Sequence, residues 1–156
     1  MIDVLITFVA SFWIWVMYLG LVVISFFKWG IRKKDALHAF VVGFASWGIA
    51  QMIKDLFPES LRPFQLNGYP PLTFTIPLDS TFPSGHSAAA FGLAVAVFLY
   101  DKKIGILYLL GAFVVSLGRV ASNVHFPIDV LGGAVLGAFV ALASENVHFG
   151  KLLGRR

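Results

Sequence analysis

Lys54, Arg62, Ser84, Gly85, His86, Arg119, His125 and Asp129 are the residues whose types and spacing could do chemistry. They stand at the edges of apolar runs in a chain with only 13% charged residues. Ionisable groups are costly in such surroundings, so a functional use is their default reading. Three cations, two imidazoles and a carboxylate suit one task, holding a phosphoryl group while its ester bond is broken. That work is mostly positioning and charge stabilisation.

His125 and Asp129 are four residues apart and on one helix would share a face. Pro127 would then sit in the first turn, where its missing N–H costs nothing. A carboxylate one turn from an imidazole accepts its N–H, fixes the tautomer and stabilises positive charge on the ring, as a nucleophilic or basic histidine requires. Arg119 ends the preceding apolar run within reach of the same place. The plainer reading is an ion-pair cluster anchoring two helix ends. Pro83-Ser84-Gly85-His86 opens a run of small residues, Ser87 to Ala90. A helix N-terminus attracts phosphate; Gly85 lets the backbone approach an oxyanion and the Ser84 hydroxyl adds a donor. An ordinary cap explains Pro, Ser and Gly, but not the histidine. Arg62 offers a planar fork to phosphate oxygens and Lys54 a mobile point charge, although Lys54 also reads as a snorkelling residue paired with Asp55.

Together these segments resemble the type 2 phosphatidic acid phosphatase superfamily. Its pattern is Lys, six residues, Arg-Pro; then Pro-Ser-Gly-His; then Ser-Arg, five residues, His, three residues, Asp. The resemblance covers residues 54–129, about half of the chain. It departs from the pattern twice. Seven residues, Pro58 among them, separate Lys54 from Arg62, and Gly118 stands where the family has Ser. The resemblance implies that His125 attacks phosphorus and becomes a phosphohistidine, with Asp129 orienting it. His86 would protonate the leaving oxygen and then activate water. Lys54, Arg62, Ser84, Gly85 and Arg119 would hold the phosphoryl oxygens. No cofactor is implied, and no acidic cluster suited to magnesium is visible.

The elements that must position these residues are apolar. Hydrophobic residues make up 58% of the 156 residues, far from the composition of a soluble domain. Without Cys there are no disulfides, thiolate metal sites or cysteine nucleophiles. Runs at 4–27, 36–53, 85–100, 104–118 and 126–144 predict an all-α, five-helix transmembrane bundle in one domain over residues 1–156, with a core like that of the family. The run at 4–27 lacks a basic leader and is longer than a signal-peptide core, so a retained span is expected. Residues 54–84 form an apolar, Pro-rich connection expected at the interface or over the helix ends.

Lys28, Arg32, Lys33, Lys34, Lys102, Lys103, Lys151, Arg155 and Arg156 fall on one side of such a bundle. Only Lys54, Arg62 and Arg119 fall on the other. The positive-inside rule makes the first side cytoplasmic. The N-terminus is then outside, the C-terminus inside, and the site faces out of the cell membrane, to the periplasm where there is one. The basic balance is thus a topology signal and not a nucleic-acid footprint. His38 and His148 fall on the wrong side for the site. Gly133 and Gly137 suit close helix packing, within the monomer or in a dimer. Trp13, Trp15, Trp29 and Trp47 read as belt or lipid-facing residues.

The expected activity is metal-independent hydrolysis of a lipid phosphate. Candidate substrates are phosphatidylglycerophosphate, phosphatidic acid, undecaprenyl pyrophosphate and lipid A 1-phosphate. Transfer of the phosphoryl group to an acceptor lipid is the nearest alternative. A vanadium haloperoxidase shares the pocket type but is soluble and much longer. A binder of anionic headgroups needs the cations but has no use for His86 and His125 beside Asp129.

Overall fold

The computed structural model describes residues 1–27, 31–56 and 60–145. Lys28, Trp29, Phe57, Pro58, His148, Lys151, Arg155 and Arg156 lie outside the described residues. Six helices follow in order: α1 (Ile2–Phe26), α2 (Lys33–Lys54), α3 (Pro63–Asn67), α4 (Gly85–Tyr100), α5 (Lys102–Ala121) and α6 (Pro127–Glu145). Among the described residues there is no strand. α1, α2, α5 and α6 are long and apolar enough to cross a membrane, and α4 is a shorter apolar helix. The chain is a multi-pass membrane protein.

α4 differs from the expected fifth span in a way its packing explains. Its 16 residues rise about 24 Å, short of the roughly 30 Å hydrocarbon core. It is, however, the central helix, packed against α2, α5 and α6, and Ala88, Ala90, Leu93, Ala94 and Val97 are fully buried. A helix sheathed by protein need not match the bilayer. Asp101 ends α4 and caps α5, its carboxylate accepting from the Ile104 N–H at 2.9 Å, so the two helices meet in a single residue.

Small residues set how close the helices come. A Cβ at Gly133 would meet the Ser84 carbonyl, with Ser87 Cβ at 3.0 Å, and one at Gly137 would meet the Ala88 carbonyl and the Gly92 nitrogen. The Gly133/Gly137 pair therefore serves packing of α6 on α4 within the monomer. At one end of the bundle, the Tyr100 hydroxyl lies 2.8 Å from His38 Nδ1, which keeps that histidine away from the chemistry. Arg32, Lys33, Lys34, Lys102 and Lys103 belong to the same end.

At the opposite end, the connection between α2 and α4 folds over the helix ends. Phe64 N–H donates to the Asn123 carbonyl and Leu72 N–H to the Ser122 carbonyl, at 3.1 and 2.9 Å. Asn67 and Asn123 exchange side-chain amide hydrogen bonds of 2.8 and 3.0 Å, and Asn123 holds φ 63, a conformation asparagine tolerates better than most residues. The Phe74 ring packs on Phe12, centroids 5.6 Å apart, and its N–H donates to Ser11 Oγ at 3.0 Å. Leu66, Tyr69, Ile76 and Leu78 stay exposed, as an interfacial loop requires.

Candidate active site

The site gathers where α2 and α5 end, α4 and α6 begin, and the connecting loop closes over them. A cavity of about 290 Å³ is lined by Lys54, Arg62, Gly85, His86, Arg119 and His125, together with Asp79 and residues of α1 and the loop. Six of the eight residues singled out in the sequence therefore share one cavity wall. The seven-residue spacing after Lys54 does not displace it: α2 carries Lys54 to its last turn, facing the same cavity as Arg62. Its partner is Asp79 rather than Asp55.

Ser84 and Asp129 stand behind that wall. Ser84 is fully buried as the N-cap of α4, its Oγ accepting from Ser87 N–H at 3.5 Å. A hydroxyl relay runs from Ser116 to Ser87 at 2.9 Å and from Ser87 to Ser84 at 3.3 Å, which leaves the Ser84 proton free to donate. Its own N–H donates to the Asp129 carbonyl at 3.0 Å, tying the starts of α4 and α6 together. Gly85 sits in a crowded place, since a Cβ there would lie 3.0 Å from Trp47 Cδ1 and 3.1 Å from Gln51 Oε1. The first N–H groups of α4 have no intrahelical acceptor and open on the cavity at Gly85 and His86.

His125 and Asp129 are close, but not by the route the spacing suggests. α6 begins at Pro127, so His125 precedes the helix and only Asp129 lies in its first turn. Asp129 Oδ2 accepts from Phe126 N–H at 2.8 Å and Oδ1 from the Thr81 hydroxyl at 3.4 Å. Oδ2 also lies 3.5 Å from His125 Nδ1, which has no hydrogen-bond partner. Burial pushes the His125 pKa down to about 4; Asp129 opposes this, while Arg119, Arg62 and Lys54 add to it. The ring is thus neutral near pH 7 and available as a nucleophile or base.

The cations differ in how they are held. Arg62 is buried and works largely as a staple: Nη1 donates to the Val124 carbonyl at 2.8 Å, and Nε and Nη2 donate to the carbonyls of Asp79 and Ser80 at 3.1–3.2 Å. Nη2 also reaches Asp79 Oδ1 at 2.8 Å. Arg119 donates from Nη1 to the Ala10 carbonyl of α1 at 3.0 Å, and its buried Nε has no partner. Arg119 as a whole also lines the cavity, where a guanidinium is a suitable donor to an anion.

Gly118 now has a physical reason. α1 passes so near that a Cβ at this position would lie 2.7 Å from Val9 Cγ1 and 3.1 Å from the Ala10 nitrogen. A serine side chain does not fit, and the same approach brings Ser11, Phe12 and Trp15 to the cavity wall.

Sequence reasoning missed Asp79, Gln51, Thr81 and this contribution of α1. Trp15 and Trp47, expected at the lipid surface, are half exposed and also line the cavity. A second, apolar cavity of about 330 Å³ abuts the first, bounded by Ile14, Trp15, Tyr18, Phe44, Trp47, His86 and Ala89. Among the described residues no three His, Asp or Glu side chains converge as a metal site would need.

Comparison with known proteins identifies the family. The bacitracin transport permease protein BcrC of Bacillus licheniformis is 31% identical over 142 residues, 91% of this chain and 70% of that protein. The undecaprenyl-diphosphatase of Sulfolobus acidocaldarius is 35% identical over 89 residues, 56% of this chain and 43% of that protein. The crystal structure of Aquifex aeolicus LpxE superposes with a TM-score of 0.73 at 26% identity, covering 93% of this chain and 86% of that one. The family model that matches spans residues 35–152, from the first turn of α2 past the end of α6 and so across all eight residues singled out in the sequence: the chain belongs to the PAP2 superfamily.

Proposed function

We propose that the protein hydrolyses the phosphate or diphosphate headgroup of a membrane lipid through a phosphohistidine on His125. The observation that carries the lipid reading is the pair of abutting cavities. One is polar and cationic, the other apolar, and they share Trp15, Trp47 and His86. A headgroup in the first places its hydrocarbon chain toward the second, with the bond to be broken near His86. The undecaprenyl-diphosphatase relative puts undecaprenyl diphosphate first among the candidates, ahead of lipid A 1-phosphate, phosphatidylglycerophosphate and phosphatidic acid.

The chemistry runs in two steps. The neutral His125 ring attacks phosphorus through Nε2, since Nδ1 faces Asp129. The bond from phosphorus to the leaving oxygen breaks as His86 gives that oxygen its proton. The phosphorylated ring gains positive charge, which Asp129 stabilises from 3.5 Å. In the second step His86 takes a proton from water, the water oxygen bonds to phosphorus, and the P–N bond breaks to release inorganic phosphate. Lys54, Arg62, Arg119, the Ser84 hydroxyl and the N–H groups at Gly85 offset charge on the phosphoryl oxygens, which is the dominant need of such a transition state. No step calls on a metal ion.

Basic residues gather at the end of the bundle away from this site, so we place the site on the extracytoplasmic face, within a single domain over residues 1–156. The test is phosphate release in detergent with EDTA from the four lipids, beside a water-soluble phosphate ester. We expect metal-independent release that His125→Ala abolishes, and a Trp47→Ala variant whose KM rises for the lipids but not for the soluble ester. Equal effects of Trp47→Ala on both substrates would sink the lipid-chain reading, and full activity of His125→Ala would sink the phosphohistidine.

A further inference from the structure

Among the described residues, Asp79 is the one carboxylate on the wall of a cavity built from cations, and neither motif spacing nor the chemistry above gives it a task. Its Oδ2 takes the Lys54 ammonium, its Oδ1 takes Arg62 Nη2 at 2.8 Å, and Gln51 Nε2 lies 3.5 Å away. Two oxygens bridging two cations in this way reproduce what two oxygens of a phosphoryl group would do. Burial pushes the Asp79 carboxyl up, but the hydrogen bond from Lys54 and the charges of Lys54 and Arg62 outweigh it and leave the group below the ordinary carboxylate range. It is therefore ionised wherever the enzyme would work.

The bridge is not what holds Arg62. That guanidinium is fixed by the carbonyls of Asp79, Ser80 and Val124, and these acceptors survive any change of the Asp79 side chain. The carboxylate is 40% exposed, on the loop that covers the site, so it has room to turn outward. Lys54 is the group it controls: the ammonium is buried and bonded to Asp79. Asp79 also offsets the mutual repulsion of Lys54, Arg62 and Arg119, but its own charge opposes an arriving anion.

We propose that Asp79 is a resident competitor for the phosphate seat, a carboxylate that engages Lys54 and Arg62 until a phosphoryl group displaces it and thereby sets how anionic a headgroup must be to bind. The inference rests on the phosphate-site reading above. It makes Asp79 a determinant of affinity rather than a catalytic residue, because no bond-making step passes through it.

The test is calorimetric binding of inorganic phosphate to the purified full-length protein in detergent micelles, for wild type and for Asp79→Asn, Asp79→Ala and Asp79→Glu, with circular dichroism as a check of fold. Removing one like charge beside a dianion should tighten phosphate by about tenfold or more in the Asn and Ala variants. The Glu variant, which restores the charge, should return to near the wild-type value. In lipid hydrolysis the neutral variants should lower KM in step, with slower product release as kcat falls. Unchanged or weaker phosphate binding in Asp79→Asn would overturn the proposal and leave Asp79 as a scaffold for Lys54. Loss of helical content in both neutral variants would overturn it as well, making Asp79 a structural counter-ion. No phosphate binding by the wild type would bring down the phosphate-site reading itself, and this inference with it.

Discussion

Restoring the family's serine at position 118 should damage this protein. In Gly118→Ser the new Cβ meets Val9 Cγ1 at 2.7 Å, the Ala10 nitrogen at 3.1 Å and Ala10 Cα at 3.3 Å. Val is stiff at χ1, so its methyl cannot simply swing away, and the backbone contacts require α1 to back off by a few tenths of an ångström. Overpacking of this kind costs about 1–3 kcal/mol. Serine gains back about 0.5 kcal/mol over glycine in helix propensity, for a net loss of about 0.5–2.5 kcal/mol and a midpoint lowered by a few degrees. The same movement stretches the 3.0 Å bond from Arg119 to the Ala10 carbonyl, so phosphate release should fall together with stability. The assay is thermal unfolding in detergent of Gly118→Ser, Val9→Ala and the double variant, with phosphate release measured on each. Val9→Ala removes the worst contact, so the double variant should recover at least half of the lost stability. A Gly118→Ser protein as stable as wild type, or a double variant in which the two losses simply add, would refute the idea that α1 dictates glycine here.

Four further outcomes are expected. Asp129→Asn removes a carboxylate 3.5 Å from His125 Nδ1; Coulomb attraction at an effective dielectric near 20 is at most about 5 kcal/mol, so kcat should fall on the order of 10²–10³-fold in single-turnover phosphate release. His125 has its pKa lowered to about 4 from 6.5, so between those values the unfolded chain takes up a proton that the folded one refuses. Stability should fall as pH drops from 6.5 to 4, and unfolding of His125→Gln followed over that range should show a shallower slope. Gly133→Ala should destabilise by about 1–3 kcal/mol in thermal unfolding, while Gly48→Ala, with open space around it, should be neutral or slightly stabilising. Asn123→Val puts a β-branched residue at φ 63 and breaks the paired amides with Asn67, which should lower the melting midpoint by the equivalent of about 1–3 kcal/mol, whereas Asn123→Gly should retain more of it.

The polar residues could be read from the sequence because each breaks an apolar background and because three spaced segments coincide. Lys54, Arg62, Gly85, His86, Arg119 and His125 line one cavity. Asp79 could not be read that way. It lies in an irregular segment with no period, and its pairing with Lys54 and Arg62 exists only once the loop has folded back over the helix ends. Ser11, Phe12 and Trp15 were hidden for the opposite reason, since one more apolar run says nothing about which of its faces meets a neighbour. The closeness of His125 and Asp129 was foreseen from a helical spacing, although the helix starts two residues too late for that argument. What brings them together is a turn that Phe126 closes by donating to the Asp129 carboxylate. The apolar run at 85–100 predicts a span, whereas α4 is shorter than the other four apolar helices, and its burial at the centre of the bundle accounts for the apolar sequence.

The bond from Arg119 to the Ala10 carbonyl joins α5 back to α1, and the Ser84 N–H reaches forward to the Asp129 carbonyl in α6. During synthesis, a chain that has emerged only as far as α4 already holds Lys54, Arg62 and His86, yet it lacks Arg119, His125 and Asp129 and the contacts they make. The pocket can assemble only after α5 and α6 have packed on the earlier helices. A partly inserted chain thus carries only a fraction of the polar wall, and one cut after α4 lacks the assembled cavity altogether.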